Sequence, residues 1–312
     1  MKIDTDVEIG PPAHGTADGQ ATARYRIMVL VMLTLVYIVS YMDRVVGGVA
    51  APAIQAELKL TDSQIGIING LAFSAPFVVS SFLLGWVADR TNRKKLLFSA
   101  MSVWSLATAA FGLGRSFIHL VFARAGLGVG EGGYYGPSVS ILLDYFPRHQ
   151  YGRLFSIYGF GVPIGMALGI AIGAQLIETV GWRYTFLILG GVSLAMAFLV
   201  LIFLAEPTRT RIENQPPLLP SLRALAGNSH YMMVCVGISI GAIASLGLTF
   251  WLPSMFLRSH SMDLRTFATT FGLIHFIAGI IGSAVGGYLG DYLARRGVAQ
   301  AYLKVSAAGY LL

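Results

Sequence analysis

The stretch VLVMLTLVYIVSYMDRVVGGVA, residues 29–50, carries two charges, Asp43 and Arg44, side by side in an otherwise apolar run. A bilayer's hydrocarbon core takes about 20 such residues as one helix, rising about 1.5 Å each. A charge at the centre of such a span costs about 2.5–3.5 kcal/mol on the insertion scale, so it faces a cavity or a partner. Neighbouring residues on a helix point about 100° apart, which makes pairing between Asp43 and Arg44 themselves poor. The alternative is plain neutralisation of one adjacent charge by the other.

The rest of the chain repeats this texture. Over 312 residues, 55% are hydrophobic and 12% charged, against roughly 25% charged in an ordinary soluble domain. That is too little charge to cover a soluble surface, so lipid is the expected solvent for most side chains. The net charge of +7 does not form a nucleic-acid patch, because the basic residues lie between apolar stretches. Cys235 stands alone, which gives neither a disulfide framework nor a metal cluster.

Scanning for spans gives eight candidates, near 26–50, 64–88, 95–114, 117–143, 154–177, 183–205, 230–257 and 267–290, with a ninth beginning near 299. Residues 1–25 are polar, lack the apolar core of a signal peptide, and read as a disordered cytosolic tail. With that tail inside, the internal segments hold fourteen lysines and arginines and the external loops five. This bias predicts a cytoplasmic N-terminus in a multi-pass protein of the cell (inner) membrane. Residues 206–228, with Pro207, Pro216, Pro217 and Pro220, read as a cytosolic linker between a six-helix half (26–205) and the start of a second (229–312). A repeat supports the division. GWVADRTNRKK begins at Gly85 and GYLGDYLARR at Gly287, so Asp89 matches Asp291 and Arg93 matches Arg295 at an offset of 202 residues. Parallel repeats of this kind build two halves around a midplane site.

Arg124 and Glu131 form a second deep constellation. Seven residues are two turns, which puts both on one face about 10.5 Å apart along the axis. They need a third group between them, such as Asp43, Tyr134 or water. Two readings stay open: a static buried network, or a proton site in which burial and a neighbouring arginine push a carboxylate in opposite directions. Gly128 to Gly133 formally match GxGxxG, but they lie in an apolar helical run without the strand that dinucleotide binding requires. Close helix packing or local unwinding explains these glycines better. Gly161, Gly165, Gly169 and Gly173 recur every four residues as a packing ridge, and Pro76, Pro137, Pro163 and Pro253 are candidate kinks. The sequence has no nucleophile elbow, zinc motif or P-loop. It names no catalytic or metal-binding residue, and an energy source other than ATP is expected.

GWVADRTNRKK resembles the signature between spans two and three of the major facilitator superfamily. The Arg124–Gly128 segment, GWRYTF from Gly181 and the repeat agree with it. YMDR (41–44) and GVGEGGYYGPSVSILLDYFP (128–147) resemble the spinster-like branch, whose members export lysolipids or sphingoid phosphates. The resemblance implies an all-α fold of two six-helix halves, and hence a chain that is incomplete at its C-terminal end. It also implies proton coupling by Asp43 and Glu131, with Arg44 and Arg124 as charge partners or head-group ligands. Gly85, Asp89, Arg93 and Asp144 would form a cytosolic gate.

On this reading the partners are an amphipathic or lipid substrate and the membrane lipids, with a proton gradient in place of a cofactor, no nucleic acid and a monomeric state. Tyr37, Tyr41, Phe73, Tyr134 and Tyr158 are the candidate cavity wall. The rivals are an organic-anion or sugar-acid symporter of the same superfamily and a non-transporting membrane receptor or scaffold. No enzyme is expected.

Overall fold

A computed structural model describes residues 22–147, 150–207, 218–298 and 300–311. Among them are twelve α-helices and no strand: α1 Ala23–Leu58, α2 Asp62–Asn69, α3 Leu71–Ala88, α4 Arg93–Gly112, α5 Phe117–Gly132, α6 Tyr135–Tyr145, α7 Tyr151–Gly159, α8 Gly161–Phe203, α9 Leu218–Ala226, α10 Ser229–Ser259, α11 Leu264–Arg295 and α12 Ala301–Leu311. Six stretches are long and apolar enough to cross a membrane: Ala23–Leu58, Asp62–Ala88, Arg93–Gly112, Arg153–Phe203, Ser229–Ser259 and Leu264–Gly290.

That number differs from the eight complete spans expected, and two helix breaks account for the difference. The expected fourth span is divided between α5 and α6. Pro137 has no N–H to give the carbonyl of Gly133, and its ring crowds the preceding turn. The chain tightens there, with Gly133 N–H bonding Gly130 O at 3.1 Å and Tyr134 N–H bonding Glu131 O at 3.4 Å. The expected fifth and sixth spans run together through α8. Its 43 residues would reach about 65 Å if straight, roughly twice the hydrocarbon thickness. Gly181 breaks it, with φ 81° and ψ 161°, a conformation essentially closed to residues with a Cβ. A turn expected over several residues is made by one glycine.

The two arms of α8 pack on different helices. The first arm carries the glycine ridge, and the ridge faces α1. A Cβ would stand 2.9 Å from Tyr37 at Gly161 and 2.5 Å from the Ile38 carbonyl at Gly165. At Gly169 it would stand 3.0 Å from Met42 Cα, and at Gly173 2.7 Å from Val46. The second arm lies on α4, where a Cβ on Gly190 would stand 2.7 Å from the carbonyl of Ser105. The glycines around Glu131 work similarly: Gly128 abuts the Phe73 carbonyl of α3, and Gly130 would meet Trp104 N of α4 at 2.5 Å. Close backbone approach therefore clamps α1, α3, α4 and α5 around the deep charges.

Beyond residue 207 the expected linker contains a helix, α9, within its described part; residues 208–217 lie outside the described residues, as do residues 1–21 of the expected tail. The helices before residue 207, the first or N-terminal half, and those after it, the second, meet along α1 and α10 and along α8 and α11. Much of this seam is apolar and close: a Cβ added to Gly48 would stand 3.1 Å from Phe250, and one added to Gly272 3.5 Å from the Ala167 carbonyl.

Candidate functional site

Asp43 and Arg44 diverge. Asp43 is 1% exposed and turns toward α4 and α8. Its Oδ2 accepts from Trp104 Nε1 at 2.7 Å, from Ser193 Oγ at 3.3 Å and from Thr108 Oγ1 at 3.4 Å. Arg44 turns toward α5, where its Nε donates to Glu131 Oε2 at 2.5 Å. Its guanidinium lies 4.9, 5.3 and 5.0 Å from the ring centres of Tyr41, Phe73 and Phe77. Glu131 is 0% exposed, whereas the Arg44 side chain is 26% exposed. The pair joins a sealed carboxylate to an open cation.

Arg124 did not become the mate of Glu131 through a bridging group, which differs from the network expected on the sequence. Its guanidinium sits over Phe111 at 4.6 Å and Phe186 at 5.7 Å. Nε and Nη2 are buried without hydrogen-bond partners. With Asp43, Thr108 and Phe186 it encloses a void that has no room for a water molecule, and Asp43 Oδ1 is likewise buried and unpaired. Gly47 makes the space for this cation, because a Cβ there would overlap Arg124 Nη2 and stand 2.5 Å from Asn69 Oδ1.

Arg44 and Arg124 also face a larger cavity of about 440 Å³ between the halves. Tyr41, Asn69, Phe73 and Met166 line it from one half, and Phe250, Trp251, Phe271 and His275 from the other. Its size falls in the range of about 300–1,000 Å³ that holds drug-sized ligands. Tyr41 and Phe73 belong to its wall. Tyr37, Tyr134 and Tyr158 do not line it. Tyr37 stacks on Tyr158 at 4.7 Å, and the hydroxyls of Tyr134 and Tyr158 lie 3.3 Å apart in the protein core.

At the rim where α1 begins, Arg93 is 1% exposed and bonds Asp144 Oδ2 at 2.6 Å, Glu206 Oε1 at 2.8 Å and Ser140 Oγ at 2.8 Å. Glu206 also accepts from Lys94 N–H at 2.8 Å, capping α4. Asp89 closes α3 through its backbone N–H to Gly85 O at 3.3 Å, and a Cβ on Gly85 would touch no described residue. Asp291, the repeat's counterpart of Asp89, has no described side chain.

At the opposite rim the GWR turn is gripped by α1. Trp182 Nε1 donates to Glu57 at 2.6 Å and Arg183 Nε to the same carboxylate at 2.9 Å. There too, Arg258 of α10 reaches across the halves to Asp62 at 2.9 and 3.1 Å, and to Gln55.

Sequence reading missed Trp104, Gly47, Asn69, His275 and Glu206. Only Glu206 left a signal: it is the first charge after the uncharged run 184–205, where a buried rim arginine finds a mate.

An all-helical chain of apolar spans, with charges gathered beside a cavity between two halves, is the architecture of a membrane transporter. The family model of the Major Facilitator Superfamily matches residues 33–312, and the chain belongs to that family as a spinster-like member. It is 28% identical over 282 residues to protein spinster homolog 1 of Homo sapiens, covering 83% of this chain and 53% of that protein. It is 29% identical over 287 residues to the probable sulfoacetate transporter SauU of Cupriavidus necator, covering 87% and 66%. A crystal structure of a bacterial homologue of the human lysosomal transporter Spinster, inward-facing and unoccupied, superposes with a TM-score of 0.74 at 25% identity, covering 88% of this chain and 64% of that one. The chain thus spans about half to two-thirds of the length of these relatives.

Proposed function

We propose that this chain binds an amphipathic, lipid-like anion of the lysolipid or sphingoid phosphate type and moves it by alternating access, driven by protons. One observation carries the reading: Arg44 is bonded to the sealed Glu131 at 2.5 Å and at the same time lines the cavity. A head group drawn to Arg44 competes with Glu131 for it, so ligand and proton occupancy are coupled through a single side chain. Asp43 is the second proton carrier, with Arg124 poised between it and the cavity. Aromatic and aliphatic walls take the apolar part of the substrate.

The remaining assignments follow. The protein sits in the inner membrane as a monomer with its N-terminus in the cytoplasm. Its N-terminal half supplies six spans, counted across the breaks at Gly133 and Gly181, and α10, α11 and α12 begin the second half. The Arg93 cluster is the cytosolic gate, formed with Gly85, Asp89 and Asp144. Likeness to an inward-facing relative supports a state closed at the Arg258 rim. No cofactor takes part beyond the proton gradient.

In proteoliposomes carrying the chain, adding an anionic lysolipid moves protons, and Asp43→Asn and Glu131→Gln each abolish that movement. Coupled flux that survives both substitutions refutes the assignment. A small organic anion is the second reading, favoured by the likeness to the probable sulfoacetate transporter. It is separated by which probe drives the flux.

A further inference from the structure

The cavity's charges are arranged unevenly. Both cations, Arg44 and Arg124, come from the N-terminal half, and no carboxylate is among the described lining residues. From the other half a single side chain with an ionisable ring reaches the wall, His275 of α11. Its Nδ1 lies 3.3 Å from the carbonyl oxygen of Phe271, one turn back on the same helix. A carbonyl only accepts, so in that contact Nδ1 carries the hydrogen. The neutral ring then has Nε2 as a bare acceptor. Facing polar groups share this character. The hydroxyls of Ser74 and Thr249 give their hydrogens to Gly70 O at 2.9 Å and Ser245 O at 2.9 Å, one turn back on their own helices, which leaves their oxygens to accept.

We propose that the site selects an anion that also carries a hydroxyl group, with His275 accepting the hydroxyl's hydrogen while Arg44 and Arg124 hold the charge. The proposal rests on the transport reading of the same cavity and names the residue that reads the hydroxyl such anions carry. The cations line one wall and acceptors both, so a charge with no hydroxyl leaves those acceptors unmatched. A buried acceptor left unpaired penalises the ligand that lacks the matching group. His275 is then a specificity-determining residue, and because it belongs to the second half, one ligand is gripped from both sides.

The test is equilibrium binding to the whole chain in lipid nanodiscs, using 1-oleoyl-glycerol 3-phosphate and its 2-deoxy counterpart, which differ by one hydroxyl. The unaltered chain binds the hydroxylated probe about tenfold tighter, a ratio typical of one hydrogen bond. His275→Leu brings the two within about twofold by weakening the hydroxylated probe alone. His275→Gln, which restores an acceptor, recovers part of the gap.

Equal binding of both probes by the unaltered chain overturns the proposal, and so does a gap that persists in His275→Leu. A loss shared equally by both probes overturns it too, since that marks a charge or packing role. If neither lysolipid binds but D-glucuronate does, the lipid-like reading fails. The hydroxyl reading is then decided by D-glucuronate against cyclohexanecarboxylate in the same two variants.

Discussion

Replacing Arg44 and Glu131 by methionine, singly and together, exposes how the deep ion pair is stabilised. Removing one member of a buried pair costs about 3–5 kcal/mol, because the other charge is left uncompensated, whereas replacing both by apolar groups of similar volume is often neutral. The structure sorts the two single losses. Without Glu131, Arg44 keeps its 26% exposure to the cavity and the faces of Tyr41, Phe73 and Phe77, the nearest at 4.9 Å. Without Arg44, Glu131 has no opening at all, being 0% exposed. Glu131→Met therefore falls near 3 kcal/mol and Arg44→Met near 5 kcal/mol, the two ends of the range for a broken buried pair, while the double variant lies within about 1 kcal/mol of the unaltered protein. Unfolding in mixed detergent micelles, followed by far-ultraviolet circular dichroism, measures all four corners of the cycle. Single losses that add to within about 0.5 kcal/mol in the double variant mean no coupling, and a Glu131→Met loss larger than that of Arg44→Met means the burial argument is wrong.

Two further substitutions separate space from strain. Gly47→Ala forces the Arg124 guanidinium out of the place it shares with Asn69; since a flexible side chain yields more easily than backbone, the protein stays folded while anion binding in nanodiscs falls by about tenfold or more. Gly181→Ala meets no atom within 4 Å, but φ is 81°, so backbone strain alone costs about 1–3 kcal/mol in thermal unfolding. Gly191→Ala, equally free of neighbours but inside regular helix, stabilises by about 0.5–1 kcal/mol.

Periodicity and depth were legible in the sequence, and partnership was not. The glycines from 161 to 173 announced a ridge, yet nothing in their spacing said that α1 lies against it. The roughly 100° between successive side chains foretold that Asp43 and Arg44 part company. It did not foretell that Asp43 meets Trp104 and Ser193, which are 61 and 150 residues away. Arg124 and Glu131 do share a helix, but α1 brings Arg44 in as the mate of Glu131, so the expected bridging group is unnecessary. Aromatic residues misled for a related reason. Tyr37, Tyr134 and Tyr158 have the same composition signal as Tyr41, and only packing decides which ring fills the core and which faces the cavity. His275 gave no warning because a lone histidine in an apolar helix acquires meaning only from the wall across from it.

The distribution of charge between the halves bears on how such a protein can move. Asp43, Arg44, Arg124 and Glu131 all belong to α1 and α5, and the hydrogen-bond partners of Asp43, namely Trp104, Thr108 and Ser193, lie in the same half. The contacts between halves are of another kind: Gly48 on Phe250 and Gly272 on the Ala167 backbone. A rocking motion at this seam would slide apolar surfaces and leave the Arg44–Glu131 pair closed, so the cost of about 3–5 kcal/mol for breaking a buried pair would not be met on the path. Among the described residues, the polar tie across the seam is Arg258 with Asp62 and Gln55, an exposed one that water and salt weaken. With so shallow an electrostatic barrier, a ligand held by Arg44 on one wall and His275 on the other needs only a modest difference in affinity between the two states to move the balance, since each 1.4 kcal/mol shifts it about tenfold. On the proposed function, the sealed carboxylates would sense that ligand through Arg44 and Arg124, which would concentrate coupling on two arginines rather than on the seam.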